Sequence, residues 1–107
     1  MSNVFEEIAG LDKLIHEPAR LAIMTILSAG QSANFLALQR LTGLTSGNLS
    51  VHLSKLEEGE LITLQKKFIN KKPKTQIKIT KKGQAELKKH WLQLEKFRAD
   101  VEKWKPE

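Results

Sequence analysis

GLTSGNLSVHLSKLEEGELITL, residues 43–64, is the stretch that decides the fold, because its pattern is that of one helix with a single apolar side. Three leucines recur at helical spacing and form that side: Leu49, Leu53 and Leu56. Thr45 is placed to cap the N-terminus of the helix, and Gly59 is placed to end it. The sequence therefore predicts a helix over Thr45 to Glu58.

The side of this helix opposite the leucines carries small and polar residues. On a helical wheel it contains Gly47, Val51, Ser54 and Glu58, with Asn48, Ser50 and Lys55 at its edges. A helix that only has to be soluble usually carries long Glu and Lys side chains there. A helix that enters a DNA major groove, about 12 Å wide, needs short hydrogen-bonding groups near its N-terminus. We interpret this helix as a candidate recognition helix.

The positive charge of the chain is concentrated in one segment. The net charge is +6, and residues 66–90 contain ten lysines against the single Glu86, whereas residues 1–65 have a net charge of −3. A cationic segment beside a recognition helix is the electrostatic pattern of a protein that binds phosphate backbones. On charge alone, a lysine surface that only maintains solubility is an equal alternative.

The composition excludes several classes of protein. The length of 107 residues and the 40% hydrophobic content predict one folded domain over residues 1–107. No run of about 18 apolar residues exists and the N-terminus lacks the layout of a secretion signal, so we expect a cytoplasmic protein that does not enter a membrane. The chain has no cysteine, no tyrosine and no glycine-rich phosphate loop, so we expect neither an enzyme nor a metal or cofactor site.

The residues before the recognition helix predict three further helical segments. Residues 1–16 are apolar enough to pack either on the C-terminal helix or on a second subunit. Pro18 starts the next helix, which ends at Gly30 and is expected to bury Ala19, Ala22, Ile23, Ile26 and Leu27. A polar link over residues 31–33 leads to a helix capped by Asn34, with Phe35, Leu38 and Leu41 expected to face inward.

The residues after Gly59 predict a hairpin followed by a long helix. Residues 61–69 and 76–80 have the character of strands, and NKKPKT, residues 70–75, is expected to form the loop between them. Lys71, Lys72 and Lys74 at its tip could reach backbone phosphates. The long helix, residues 80–104, has an apolar seam of Leu87, His90, Leu94, Phe97, Val101 and Trp104. This seam favours dimerisation, although packing within the chain is the common alternative.

The three histidines are not predicted to form a functional site. For His52, on the flank of the leucine stripe, a half-buried ring bonded to a backbone group is favoured over a base contact. His16 and His90 can meet only if the N-terminal segment packs on the C-terminal helix, and further zinc ligands are not apparent.

Three strings in this order resemble the winged-helix transcriptional regulators of the MarR-like and ArsR-like group: EPARLAIMTIL, LTSGNLSVHLSKLEEGELI and KKPKTQIKITKKGQAEL. The resemblance covers residues 17–87 and implies a dimeric double-stranded DNA binder. It also implies a set of DNA-contact residues: Ser46, Asn48, Ser50, Val51, Ser54, Lys55, Lys71, Lys72 and Lys74. The wing is lysine-rich where many relatives use arginine, which favours phosphate anchoring over base reading. The cysteines of ArsR-type metal sensors are absent.

The sequence thus predicts a mainly α protein with a β-hairpin, a winged helix-turn-helix over residues 17–79 that is extended by a long C-terminal dimerisation helix. We expect a homodimeric, sequence-specific transcriptional regulator, with a small-molecule effector as an open question. The alternatives are a winged-helix protein-interaction module without DNA binding, and a protein that recognises double-stranded RNA by shape.

Overall fold

The computed structural model describes residues 4–104, which form five helices and one three-stranded antiparallel sheet. In chain order the elements are α1 (Val4–Ala9), α2 (Pro18–Gly30), β1 (Ser32–Asn34), α3 (Phe35–Thr42), α4 (Ser46–Glu58), β2 (Ile62–Ile69), β3 (Lys72–Ile79) and α5 (Lys81–Lys103). This architecture confirms the predicted winged helix-turn-helix with a long C-terminal helix. Residues 1–3 and 105–107 of the predicted domain lie outside the described residues.

Helices α2, α3 and α4 begin where Pro18, Asn34 and Thr45 predicted their starts. The Glu17 carboxylate accepts a hydrogen bond from the backbone N–H of Arg20 at 2.8 Å, so it caps α2 just before Pro18. Asn34 caps α3, which ends at Gly43 with a left-handed φ of 72°. Thr45, two residues later, caps α4. The two helices therefore meet through a tight turn that only a residue such as glycine adopts without strain.

The predicted inward faces of α2 and α3 are partly wrong. In α2 the buried residues are Ile23, Met24 and Leu27, whereas Ala22 is exposed. In α3 only Leu38 is buried, and the Leu41 side chain is 67% exposed. Since α3 is a short helix at the edge of the core, a single residue of its apolar face is covered completely.

The end of α4 depends on two residues rather than on Gly59 alone. Glu60 has the left-handed φ of 62°, and the backbone N–H groups of Glu60 and Leu61 bond back to carbonyls of the last helical turn at 2.9 and 3.0 Å. Gly59 has an ordinary φ of −78°. A Cβ atom at this position would lie 2.5 Å from the side chain of Leu14, so Gly59 provides space for that residue.

The sheet contains a strand that was predicted to be a link. Residues Ser32–Asn34 pair with β3 in the register Ser32↔Lys78, which gives the strand order β1-β3-β2. Three residues are too few to show the alternation of a strand, and their partner lies more than forty positions away in the sequence. The third strand is therefore a product of tertiary pairing.

The loop of the hairpin is shorter than predicted. Only Asn70 and Lys71 connect β2 to β3, and both have left-handed φ values, 54° and 63°, as in a type I′ turn. Lys72 and Lys74 consequently lie in β3 rather than in a loop. Pro73 is tolerated within the strand because it stands opposite Phe68 in a pair that does not require its N–H, and β1 does not extend that far.

One core joins α2, α3, α4, the sheet and the first half of α5. The stripe of Leu49, Leu53 and Leu56 is buried in it, and each leucine contributes roughly 2 kcal/mol by leaving water. The first turn of α5 approaches the sheet so closely that a Cβ atom on Gly83 would lie 2.2 Å from the carbonyl oxygen of Leu61. This contact fixes the direction in which α5 leaves the core.

The N-terminal segment packs on α5 of its own chain. The rings of Phe5 and Trp104 meet edge to face with centroids 5.4 Å apart, and Nζ of Lys96 lies 3.4 Å from the Glu7 carboxylate. Part of the predicted α5 seam is thus covered within the chain, while three apolar residues of α5 and the Trp104 that follows it stay exposed: Trp91, Leu92, Val101 and Trp104. No helix within residues 4–104 combines the length and apolarity needed to span a membrane.

Candidate nucleic-acid interface

The outer side of α4 is open to solvent. The three leucines on the other side are buried. All six α4 residues in the predicted contact set are exposed: Ser46, Asn48, Ser50, Val51, Ser54 and Lys55. Most of these side chains are short and carry a hydroxyl or an amide group, which can donate to or accept from a base edge. A partner as large as a DNA groove can therefore approach this side without displacing any part of the core.

The N-terminus of α4 is exposed and flat. The Thr45 hydroxyl accepts from the N–H of Asn48 at 3.1 Å and so caps the helix, while the positive end of its dipole points outward. A Cβ atom on Gly47 would meet nothing within 4 Å, and the φ of this residue is not left-handed. Packing and backbone geometry do not require a glycine here. Its effect is to leave the helix surface without a protruding side chain where a partner would approach.

Arg20 of α2 fixes the position of α4. Its Nε donates to the carbonyl of Leu14 at 2.7 Å, and its Nη2 donates to the carbonyl of Lys13 at 3.2 Å. Its Nη1 lies 3.2 Å from Nδ1 of His52 in the middle of α4. One guanidinium group therefore joins the 13–14 segment, α2 and α4. Arg20 belongs to the string EPARLAIMTIL, which carries part of the family resemblance, but its role in holding α4 becomes apparent only in the tertiary structure.

His52 is half-buried as predicted, but its partner is a side chain rather than a backbone group. Because a guanidinium group can only donate, Nδ1 of His52 is the acceptor in the contact with Arg20. The Glu17 carboxylate lies 3.6 Å from the same nitrogen. Burial raises the pKa of Glu17, but hydrogen bonds from the N–H groups of Arg20 and Ala19 and the charge of Arg20 outweigh burial and lower this pKa below its usual value. The His52 ring therefore supports α4 from the inside.

The β2–β3 hairpin, which we call the wing, has two different faces. The inner face continues the side that packs on the core and carries Ile62, Leu64, Lys66 and Phe68 of β2 with Ile79, Ile77, Thr75 and Pro73 of β3. The outer face carries Thr63, Gln65, Lys67 and Ile69 with Lys78, Gln76, Lys74 and Lys72. The inner face is apolar at both ends, whereas the outer face is polar and cationic apart from Ile69 at its tip.

The wing carries six lysines, which no acidic residue of the wing neutralises: Lys66, Lys67, Lys71, Lys72, Lys74 and Lys78. None of them takes part in an ion pair within residues 4–104, and the sequence contains no acidic residue between Glu60 and Glu86. Lys67 stands directly opposite Lys74, and like charges in this arrangement destabilise a sheet. A polyanion bound at the wing would remove this repulsion.

A groove separates α4 from the wing. It has a volume of about 530 Å³ and is lined by Phe35, Ser50, Leu53, Ser54, Glu57, Leu64, Lys66 and Thr75. The fold thus brings two of the predicted α4 residues, Ser50 and Ser54, close to the inner face of the wing. Lys66, which the sequence prediction omitted, is the wing lysine that lines this groove, and its alternation with Leu64 could have revealed it. Lys72 and Lys74 lie on the outer face, and Lys71 lies at the turn.

His16 and His90 meet where the N-terminal segment reaches α5. Nδ1 of His16 lies 3.3 Å from Nε2 of His90, and the buried Nδ1 of His90 has no hydrogen-bond partner. Burial lowers the pKa of His90, as does the neighbouring His16, while Asp12 acts in the opposite direction. Within residues 4–104 no cluster of three or more His, Asp or Glu residues is arranged to hold a metal ion.

Comparisons with known proteins agree with this geometry. Residues 19–98 match the family described as the winged helix DNA-binding domain. The structure of a transcriptional regulator homologue from Pyrococcus horikoshii is similar over 92% of this chain and 96% of that one, with 31% identity and a TM-score of 0.83. An uncharacterized protein of Methanocaldococcus jannaschii is 32% identical over 90 residues, which are 84% of this chain and 98% of that protein. A MarR-family regulator from Silicibacter pomeroyi shares the fold with 19% identity and a TM-score of 0.63, over 94% of this chain and 62% of its own.

Proposed function

We propose that this chain, which belongs to the winged helix DNA-binding family, is a sequence-specific transcriptional regulator that binds double-stranded DNA as a homodimer. One observation carries the proposal. The exposed, short-chained side of α4 is separated by a groove from a hairpin with six lysines, none of which forms an ion pair within residues 4–104. Duplex DNA offers a groove that accepts the helix and phosphates that bind the lysines.

In this proposal α4 enters the major groove with its N-terminal half. The hydroxyl groups of Ser46, Ser50 and Ser54 and the amide of Asn48 would bond to base edges or phosphates. Val51, which is 54% exposed, suits contact with a thymine methyl group. Lys55 lies one turn further along and would bind a phosphate or a guanine.

The wing is proposed to hold the flanking DNA backbone. Lys71 at the turn and Lys72 and Lys74 on the outer face would contact phosphates, and Lys66 would contact the backbone nearest to α4. A lysine ammonium group acts as a point charge without the planar geometry of arginine. These contacts therefore supply affinity and orientation, while hydrogen bonding to base edges comes from α4.

The homodimer is proposed to form through α1 and α5. These helices and Trp104, at the C-terminal end of α5, expose six large apolar side chains: Phe5, Ile8, Trp91, Leu92, Val101 and Trp104. The molecule measures 66 × 26 × 21 Å, because α5 extends away from the core. A two-fold partner would cover this surface, and successive major grooves would then place the two copies of α4 about 34–36 Å apart on an inverted repeat.

The cleft between α2 and α5 is our proposed location for a small-molecule effector. It has a volume of about 530 Å³, and apolar and charged side chains line it together: Ser28, Gln84, Leu87, Lys88, Trp91, Leu92 and Glu95. Because the cleft adjoins the proposed dimer surface, a ligand there would alter the spacing of the two α4 helices. Thermal-shift screening of the wild type against Trp91→Ala tests this location.

A salt titration separates DNA binding from the alternative of a protein-interaction module. The wild type should bind a mixed-sequence duplex with an affinity that falls steeply with salt concentration. In the triple variant Lys71→Ala/Lys72→Ala/Lys74→Ala, the slope of log affinity against log salt concentration should decrease by up to about 0.9 per lost phosphate contact. The decrease should be the same for every DNA sequence. The matched control, Lys88→Ala/Lys89→Ala/Lys103→Ala, removes the same charge from α5 and should keep most of the slope. An interaction module predicts no salt-dependent binding at all.

Sequence preference is tested separately at Asn48. Selection from a random DNA pool with the wild type and with Asn48→Ala should return different preferred motifs. Identical motifs would remove Asn48 from the set of base-reading residues. The same purified protein, offered DNA and RNA duplexes of one sequence, should prefer DNA, and a preference for RNA would favour the shape-recognition alternative.

A further inference from the structure

Phe68 is an aromatic residue that the fold of the chain does not bury. Its side chain is 79% exposed, more than any other large hydrophobic side chain in residues 4–104, and it lies two residues before the turn of the wing. An exposed phenyl ring is costly in water and contributes little to folding. Its position at the tip of a hairpin therefore leaves the ring available to a partner outside the chain.

Contacts within the wing account for a small part of the ring surface. Phe68 lies on the inner face opposite Pro73, and the next pair toward the core is Lys66 with Thr75. The buried apolar residues of this face end with Ile77, opposite the partly buried Leu64. The Phe68–Pro73 pair is thus an apolar patch separated from the core by one polar pair. A cross-strand contact that leaves 79% of the ring exposed does not explain why phenylalanine stands there.

The surroundings of this patch select the chemistry of the partner. Lysines stand before the ring at positions 66 and 67 and after it at 71 and 72, and no acidic residue occurs between Glu60 and Glu86. An apolar protein surface or a neutral lipid surface would leave these cations without counter-charges. A nucleic acid duplex supplies phosphates for the lysines and stacked bases for the ring.

The reach of the wing is consistent with a duplex that also accepts α4. From Leu64 at the edge of the core to Phe68 the strand advances four residues, or about 13 Å. Half a helical turn of DNA, which separates a major groove from the adjacent minor groove, is about 17 Å. With α4 in a major groove, a wing of this length would carry the Phe68–Pro73 patch toward the next minor groove.

We propose that Phe68 is an apolar wedge that enters the minor groove, separates one base step and bends the duplex toward the major groove. Pro73 supports the ring from the opposite strand, and the neighbouring lysines neutralise the phosphates that approach each other in the bend. Pyrimidine–purine steps unstack most easily, so the wedge would prefer TA and CA steps at the flank of the site. This inference rests on the proposed DNA-binding function.

Bending and binding are measured on the same duplex to test the wedge. A 30-base-pair duplex obtained by selection with the wild type carries a fluorophore at each end, and 2-aminopurine replaces single adenines in the flanks. The wild type should increase energy transfer between the ends and the 2-aminopurine emission at one flanking step. Phe68→Ala should abolish both signals and weaken binding by about 10-fold, because the phosphate contacts remain. Phe68→Leu keeps an apolar wedge and should retain the bend.

The outcomes distinguish this inference from the function on which it rests. If the wild type binds the duplex but leaves it straight, or if Phe68→Ala bends it equally, the wedge is wrong and DNA binding stands. If no duplex binds in a salt-dependent manner, the proposed function fails and the wedge fails with it. Sedimentation of Phe68→Ala in the absence of DNA should match the wild type. A loss of self-association would identify the ring as a subunit contact and overturn the wedge.

Discussion

Lys71 allows the backbone strain of the wing and its charge to be tested separately. It occupies the second position of the type I′ turn with a φ of 63°, and Asn70 at the first position has a φ of 54°. Asparagine tolerates the left-handed region, and glycine is the residue that this turn favours at the second position. Replacing Lys71 by Gly or by Ala removes the same positive charge. Only glycine also relieves the strain.

The expected size of the effect follows from these dihedral angles. A side chain in the left-handed region costs about 1–2 kcal/mol, and glycine gives back about 0.5–1 kcal/mol through its greater freedom in the unfolded chain. The Lys71→Gly hairpin should therefore be more stable than the Lys71→Ala hairpin by roughly 1 kcal/mol. At 25 °C this difference corresponds to about a fivefold smaller population of the opened turn, and so to about fivefold slower amide exchange. The melting temperature of the whole chain should change little, because the tip lies outside the core.

Amide hydrogen exchange at Ile69 and Lys72, the pair that closes the turn, measures this difference directly. Salt titration of DNA binding with the same two variants measures the contribution of the charge. Each variant should lose about 0.9 of the slope of log affinity against log salt concentration. Equal exchange rates in the Gly and Ala variants would refute the strained type I′ turn. An unchanged salt slope in both would show that Lys71 does not contact a phosphate.

Three further predictions concern the core, the histidine pair and α4. Gly83→Ala should destabilise the fold by about 3 kcal/mol, because its Cβ atom would collide with the backbone of Leu61. Gly30→Ala is the control: nothing lies within 4 Å of a Cβ atom there, so this change should be neutral or slightly stabilising. Denaturant unfolding of the two variants measures the difference in stability. Folding lowers the pKa of His90, so the folded state binds fewer protons than the unfolded chain. The free energy of unfolding should therefore fall as the pH drops below 6.5, the ordinary pKa of histidine. The fall should be at most about 1.4 kcal/mol per pH unit. His90→Leu should flatten this dependence between pH 8 and 5.5, and an equally steep dependence in the variant would assign it to other groups. Gly47→Ala should raise the stability of α4 by about 0.5 kcal/mol and weaken DNA binding. A more stable variant with unchanged affinity for DNA would show that the surface at Gly47 is not close to DNA.

Local patterns in the sequence were sufficient for the helices that carry the fold. The leucine stripe of α4, its Thr45 cap, and the caps at Asn34 and Thr80 each depend on residues within one or two turns. Apolar periodicity and short polar caps act over that distance, so they can be recognised without knowing what lies beside them. The exposure of the outer side of α4 followed from the same periodicity. The DNA contacts assigned to it stay a prediction.

Residues whose roles depend on distant partners could not be placed in this way. The strand Ser32–Asn34 exists because β3 pairs with it, and Gly59 is needed because Leu14 lies against it. Lys71, Lys72 and Lys74 were predicted to share one loop, but the two-residue turn keeps only Lys71, and strand pairing places Lys72 and Lys74 in β3 on the outer face of the wing.

The sequence by itself thus determined which segments are helices and which side of α4 faces water, because both depend on the order of neighbouring residues. Only the tertiary structure decided that Arg20 holds α4 through His52, that Lys66 lines the groove and that Phe68 stands exposed beyond it. The physical reason is that strand register and side-chain contacts are set by groups tens of residues apart. Their energies exist only after the chain has brought those groups together.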